Sequence, residues 1–353
     1  MPAMNSYQII EFGKPLELRS YGIPKPTGTE ILVRIAGCGV CHSDVHLWGG
    51  YYSLGGGKRI TLVDRGAKLP FTMGHEIVGE AEALGPDATG ITVGTRGVIF
   101  PWIGCGACFA CTHGRELQCT TPRTIGTRRD GGYSDYVIVP HPRYIVEYGS
   151  LDPMVAATLA CSGLTAYSAV KKLPEMTGDD AVVVIGAGGL GLAAVGYVAA
   201  LSPARLIVGD IDRSRREAAR RAGAVGTFDP SVPDAQEALK ALHPQAPLGI
   251  IDFVGTEKTA QFAVDVLARC GTAVFVGLFG GEIPVSVSKI AMQNISIRGS
   301  NVGTLGEFRQ LMELVRAGRV PTIPVATRKM ADVNAILGDL SEGKIVGRVV
   351  MRP

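Results

Sequence analysis

Residues 181–210 read AVVVIGAGGLGLAAVGYVAALSPARLIVGD. Residues 181–185 are a short apolar, mostly β-branched run stopped by glycine, which predicts a buried strand. Gly186-Ala187-Gly188-Gly189-Leu190-Gly191 fits G-x-G-x-x-G. An apolar helix is expected over 190–201. A second strand is expected over 205–209, ending at Asp210, 19 residues after the last glycine of the motif. The motif alone is a weak signal, because a structural Gly-rich turn can match it. Set between a strand and a helix, with an acidic residue closing the next strand, it predicts a dinucleotide-binding βαβ unit. Its glycines permit a tight turn and close approach of a pyrophosphate to the positive end of the helix. The same punctuation argues against reading 181–201 as a membrane span.

Working outward, a helix over 213–222, a strand over 249–254, a helix over 257–270 and a strand over 273–277 extend the alternation, and after 295–299 the chain is expected to return to the first domain. The alternation predicts a doubly wound parallel sheet, hence an α/β fold. Upstream the chain is β-rich, with strands expected over 30–36 and 77–84. Residues 49–70 are Gly-rich and then basic, and read as a loop. Downstream, 305–317 and 331–340 have helical periodicity and 345–351 reads as a final strand. With 353 residues, 46% of them hydrophobic, the chain can bury two cores. A formal charge of +3 gives no support for nucleic-acid binding. The N-terminus lacks a basic region followed by a long apolar run, so no signal peptide is expected. The eight cysteines cluster tightly, which favours metal binding over disulfides in an apparently cytosolic chain.

The chemistry concentrates in Cys41-His42-Ser43-Asp44-Val45-His46. A zinc thiolate needs a cysteine, and metal ligands are oriented by a nearby hydrogen-bonded carboxylate. Polar clusters also occur in ordinary turns, but His75-Glu76 and Cys161 add ligand types. Cys105, Cys108, Cys111 and Cys119 have the spacing C-x2-C-x2-C-x7-C. Four thiolates can close a tetrahedral structural zinc site, and by spacing an iron–sulfur cluster is a rival. Cys38 and Cys270 have no motif partner and read as ordinary buried thiols. His113, His141 and His243 carry no role.

Together these motifs resemble the zinc-dependent alcohol dehydrogenases of the medium-chain dehydrogenase superfamily, closest to the bacterial and thermophilic archaeal NAD-dependent branch. The likeness covers nearly the whole chain. It implies a GroES-like, β-rich catalytic domain over 1–160 with a structural-zinc lobe at 101–122. A Rossmann cofactor domain over 161–299 would follow, and residues 300–353 would return to the catalytic domain. It implies two zinc ions per subunit. Cys41, His75 and Cys161 would hold the catalytic zinc, with Glu76 as an exchangeable fourth ligand and Asp44 behind a ligand histidine. The four clustered cysteines would hold the structural zinc. Ser43 and His46 would pass the alcohol proton out through the nicotinamide ribose. His42 and Arg348 match positions that contact the pyrophosphate, and Thr165 and Leu278 positions against the nicotinamide. Gly186, Gly188, Gly189, Leu190, Gly191 and Asp210 complete the cofactor site, and Asp210 favours NAD over NADP.

Trp48, Trp102, Ile125 and Leu278 are expected to line an apolar substrate pocket. Thr124 and Asn301 depart from the bulkier or more apolar residues of that branch, which implies a roomier, more polar pocket. The activity implied is hydride transfer between a primary or secondary alcohol, cyclic and aromatic ones included, and NAD. Alternatives are a polyol or dedicated catabolic hydroxy-substrate dehydrogenase of the same superfamily, and a non-catalytic NAD-binding protein. The partners implied are a small alcohol, aldehyde or ketone and further copies of the chain as a tetramer, in the cytoplasm, with no nucleic acid and no membrane.

Overall fold

The computed structural model describes residues 2–353. Six parallel strands, Ala181–Ile185, Arg205–Gly209, Gly226–Phe228, Gly249–Asp252, Thr272–Phe275 and Ser296–Gly299, form one sheet. Numbered along the chain, they lie side by side in the order 3-2-1-4-5-6. The order reverses beside the first strand, and a crevice opens at the carboxyl ends of the strands there. Ala181–Ile185 is buried at every position. Helices cover both faces of such a sheet, so the central strand is continuously apolar rather than alternating.

Three expectations need correction here, and one strand was not expected at all. Gly226–Phe228 is a strand too short to be read from the sequence. The helix expected over 257–270 ends at Asp265. Cys270 lies beyond it at φ 61, exposed, where the chain reverses into the next strand. It is therefore not a buried thiol, whereas Cys38 is. Residues 49–70 are not simply a loop. Tyr51–Gly55 and Lys58–Thr61 pair as an antiparallel hairpin, turned by Gly55, Gly56 and Gly57, all at positive φ.

A second sheet is centred on Ile31–Val40, which pairs with Glu76–Leu84, Tyr136–Val139 and Arg348–Arg352. The last strand of the chain thus returns to the first half of the molecule. A continuous helical run joins the two halves: Pro153–Thr158, a π-turn at Leu159–Gly163, and Leu164–Val170. Pro153 occupies the first turn, and the Asp152 side chain accepts from the N–H groups of Met154 and Val155, which sets the start. By length and composition this 18-residue run could cross a membrane, with mean hydropathy 1.3, but 89% of it is buried inside the protein. It is a core helix, sharing one apolar cluster with Val33, Ile77 and Phe308.

Candidate active site

The strand Ile31–Val40 ends one residue before Cys41, which caps the helix His42–Gly49. The Cys41 N–H donates to Asp44 Oδ2 at 2.9 Å, a reciprocal cap that fixes Asp44 three residues on. Gly39 pairs with Glu76 across the sheet, which sets His75 beside Cys41. A Cβ at Gly39 would run into the Glu76 carboxylate, so the register needs glycine there. Cys161 arrives on the π-turn, a helical irregularity common at functional sites.

Cys41 Sγ, a ring nitrogen of His75 and Cys161 Sγ lie within 4.8 Å of one another, all three residues buried. Cys41 and Cys161 Sγ are 3.8 Å apart, far beyond a disulfide bond. Two thiolates about 2.3 Å from one tetrahedral zinc would stand about 3.8 Å apart, so the donor set fits that ion. His75 Nδ1 lies 3.1 Å from Asp44 Oδ1. Asp44 Oδ2 also accepts from the Tyr133 hydroxyl at 2.8 Å, so two hydrogen bonds hold that oxygen, while Oδ1 meets the imidazole as a close contact outside hydrogen-bond geometry. His75 Nε2 faces Ser43 Oγ at 3.2 Å.

The electrostatics suit a cation. Cys41 is held well below the usual thiol range, first by its hydrogen bond with Cys161 and then by Arg348 and His75. Cys161 is pushed up by that same bond and by burial. Burial pulls the His75 imidazole down, but Asp44 and Cys41 outweigh it and raise its pKa. Such a pattern is what a closely packed ligand set gives before a metal ion replaces its protons.

Glu76 sits beside the cluster with one oxygen engaged elsewhere. Its Oε1 accepts from Arg348 Nη2 at 2.6 Å and from the Ser162 N–H and Oγ at 3.0 Å each. It is not one of the three clustered ligands. Its Oε2 is buried without a partner. Arg348 joins two elements: one side pairs with Glu76, and its Cδ lies against Gly189 of the glycine-rich turn, where a Cβ would collide with it. Its guanidinium is almost fully buried.

One cavity of ≈1150 Å³ runs from the cysteine–histidine cluster to the crevice of the parallel sheet. Cys41, His42, Ser43, His46, Thr165 and Cys161 line it, as do Gly186, Gly188, Gly189, Leu190, Gly191, Asp210, Leu278 and Arg348. Gly186 turns at φ 88, and a Cβ at Gly191 would strike the Gly186 carbonyl. The Asp210 carboxylate accepts from the Ala187 and Asp212 N–H groups at 2.7 and 2.8 Å, which ties the strand end to the turn. Thr165 carries a buried hydroxyl without a partner. The His46 ring sits 5.0 Å from the Tyr52 ring and 5.5 Å from that of His42. Burial lowers the pKa of both histidines.

The expected substrate pocket is partly redrawn. Trp102, Leu278, Thr124 and Asn301 line the cavity, and the Trp102 indole donates to the Ala160 carbonyl at 2.9 Å on the π-turn. Trp48 and Ile125 are outside the lining. Ile125 is fully buried in the apolar core, and the Trp48 indole donates to the Lys14 carbonyl. An apolar residue near a site in sequence can still face the core, and spacing does not tell the two apart. Tyr133, Ser162 and Tyr52 were missed. Tyr133 and Ser162 act across large sequence separations, and Tyr52 meets His46 only through the hairpin that was read as a loop.

The second cluster is Cys105, Cys108, Cys111 and Cys119. Its sulfurs all lie within 4.8 Å of one another, and three of the pairs stand 3.5–3.9 Å apart, again the span of a tetrahedral zinc. Cys105 Sγ accepts from the Cys108 N–H, and Cys119 Sγ from the Cys105 N–H, at 3.3 Å each. Backbone N–H groups of Ala107 and Cys108 lower the Cys105 thiol to about 6, while burial raises that of Cys111 to about 12.

Comparison with known proteins places this geometry. Residues 27–149 match the family described as "Alcohol dehydrogenase GroES-like domain", and residues 189–317 that described as "Zinc-binding dehydrogenase". The chain is 38% identical to an NAD-dependent alcohol dehydrogenase of Sulfurisphaera tokodaii, covering 99% of this chain and 100% of that one. It is 31% identical to a D-arabinose 1-dehydrogenase (NADP(+)) of Saccharolobus solfataricus, over 97% and 96% of the two chains. The crystal structure of the alcohol dehydrogenase of Aeropyrum pernix superposes with TM-score 0.87 at 29% identity, over 99% and 100% of the chains. Two domain matches in the family's order, with that likeness along the whole length, make this chain a member of the medium-chain, zinc-binding alcohol dehydrogenase family.

Proposed function

We propose that the protein is an NAD-dependent zinc alcohol dehydrogenase, which moves a hydride between a primary or secondary alcohol and NAD. The observation that carries this reading is the shared cavity: a Cys41–His75–Cys161 cluster and a glycine-rich dinucleotide turn open into the same space. Those three residues would hold zinc, which when bound supplies Lewis acidity toward the substrate oxygen. The Cys105–Cys119 lobe would hold a second, structural ion with no open position.

The chain's own groups do the rest. Asp44 and Tyr133 orient His75. Ser43 Oγ stands at the cluster, where it can take the hydroxyl proton, and His46 lies farther along the cavity toward Tyr52 as the base that carries it out. Glu76 keeps the buried Arg348 charge neutral and aimed at the glycine turn, where it and His42 would meet the pyrophosphate. Thr165 and Leu278 would flank the nicotinamide. Asp210 would accept from the adenosine ribose hydroxyls and repel a 2′-phosphate. Arg215, which lines the same end of the cavity, is tied to the Gly343 carbonyl at 3.0 Å. A homo-oligomer, as a tetramer, fits the Ser296–Gly299 edge strand, whose four residues are all exposed, and the nearby Val287 and Met292. We place it in the cytoplasm, with no membrane partner.

Metal analysis and cofactor kinetics test this reading. Two zinc ions per active subunit are expected, with kcat/KM for NAD well above that for NADP and Asp210→Ser narrowing the gap. One zinc ion in a fully active subunit would overturn the two-site assignment. Equal use of both cofactors would overturn the role of Asp210.

A further inference from the structure

Away from the nucleotide turn, the cavity is walled by the segment after the hairpin and by the chain leaving the cysteine lobe. Leu62, Leu69, Leu117 and Trp102 give this end an apolar surface. Three cations stand among them: Arg65, Lys68 and Arg128. The two segments are joined, since Arg128 Nη1 donates to the Arg65 carbonyl at 3.1 Å. Arg65 lies over the Tyr52 ring, 5.6 Å from its centroid, and Tyr52 in turn faces His46. The basic end is therefore one aromatic ring away from the histidine in the active-site wall.

None of the three has a carboxylate partner. The ion pairs among the described residues include no pair to Arg65, Lys68 or Arg128. The carboxylates lining the cavity are Glu116 and Asp210. Glu116 is taken by Arg143 at 2.7 Å, and Asp210 by two backbone N–H groups. Asp64, next to Arg65, is turned to the N–H and hydroxyl of Thr61. A cavity end that is apolar in its walls and carries unpaired charge of one sign focuses its field on an entering ligand.

We propose that the preferred substrate is a hydroxy acid. Its hydroxyl would sit at the Cys41–His75–Cys161 cluster, an apolar chain would lie along Trp102 and Leu117, and its carboxylate would meet Arg65, Lys68 and Arg128. This rests on the alcohol dehydrogenase reading and narrows its substrate class. The reaction is unchanged: the carbinol carbon gives a hydride to NAD, the hydroxyl proton goes to solvent, and the product is the corresponding oxo acid. The carboxylate anchors and does not react.

The test compares kcat/KM for a series of ω-hydroxyalkanoates with the 1-alkanols of equal chain length, using the zinc-loaded protein and NAD. At low ionic strength the hydroxyalkanoates are expected to be favoured about tenfold, the yield of two or three exposed ion pairs. The preference should sit mainly in KM and shrink as salt is raised. The triple variant Arg65→Glu/Lys68→Glu/Arg128→Glu should reverse the ratio, and Lys68→Gln alone, which breaks no hydrogen bond, should lower it. A second readout needs no turnover: Trp102 fluorescence should report tighter binding of a straight-chain alkanoate than of the matched alkylamine. Oxidation of the alkanols with no advantage for the hydroxyalkanoates would overturn this proposal and leave the dehydrogenase reading standing. No oxidation of either series would overturn both.

Discussion

Cys105, Cys108, Cys111 and Cys119 come from one stretch of fifteen residues, whereas Cys41, His75 and Cys161 come from a helix cap, a strand start and a π-turn. The two clusters present sulfurs at the same separation, 3.8 Å for the Cys41–Cys161 pair and 3.5–3.9 Å in the lobe. They reach it by different means. The lobe has little apolar packing of its own, since Phe109 and Leu117 are exposed. Its short loops and N–H···S bonds position the thiols, so an ion held there would supply much of the order. The active-site cluster is fully buried and is assembled by the strand register, the core helix and the Asp44–Tyr133 pair. Its position is therefore expected to depend on the surrounding fold more than on an ion. Local chelation and scaffolded chelation therefore predict different responses to the same kind of mutation.

The largest effect separates them by activity. Cys161→Ser is expected to cost about a thousandfold in kcat/KM, the equivalent of several kcal/mol of lost Lewis-acid stabilisation. The thermal midpoint should move little. A midpoint falling as far as in the lobe variant would mean that the buried cluster also depends on its ion for folding. Cys108→Ser is the mirror image. Losing a closed site removes metal-binding free energy that supports the fold, so the midpoint should drop by about 10 °C. Wild-type stability in that variant, read by calorimetry, would show that the lobe is held by its loops alone.

Asp44→Asn sharpens the comparison further, because the lobe has no counterpart to Asp44. It should weaken metal retention at the active site about 10- to 100-fold, measured by chelator competition, and leave the lobe's ion in place. Equal loss from both sites would remove the orienting role of Asp44.

The smallest expected effect is His46→Gln. Burial, with the neighbouring His42 charge, lowers the His46 pKa, so its neutral, proton-accepting form persists below the ordinary histidine value. Alcohol oxidation by the native enzyme should therefore decline only as pH falls through that lowered value. The variant should lose about tenfold near neutral pH and less at high pH, where hydroxide can remove the proton. A pH profile unchanged by the substitution would take His46 out of the proton path.

What could be read directly from the residues was local. The strand–turn–helix at 181–201 was legible because glycine freedom, β-branching and apolar periodicity all act within a few residues. The four lobe cysteines were legible for the same reason, as was a final strand near 345–351, observed at Arg348–Arg352; its return to the first sheet was implied only by the family resemblance. The hairpin at Tyr51–Thr61 was missed because its Gly-rich turn hid short strands, and Gly226–Phe228 because three residues carry no period. The tertiary structure alone decided that Glu76 pairs with Arg348 and Ser162, that Tyr133 closes the Asp44 carboxylate, and that Ile125 and Trp48 face away from the cavity. It also brought Arg65, Lys68 and Arg128 to one end of that cavity. These depend on strand register and on which face a side chain takes once distant segments pack. A single position in a sequence carries no record of that until the fold supplies its neighbours.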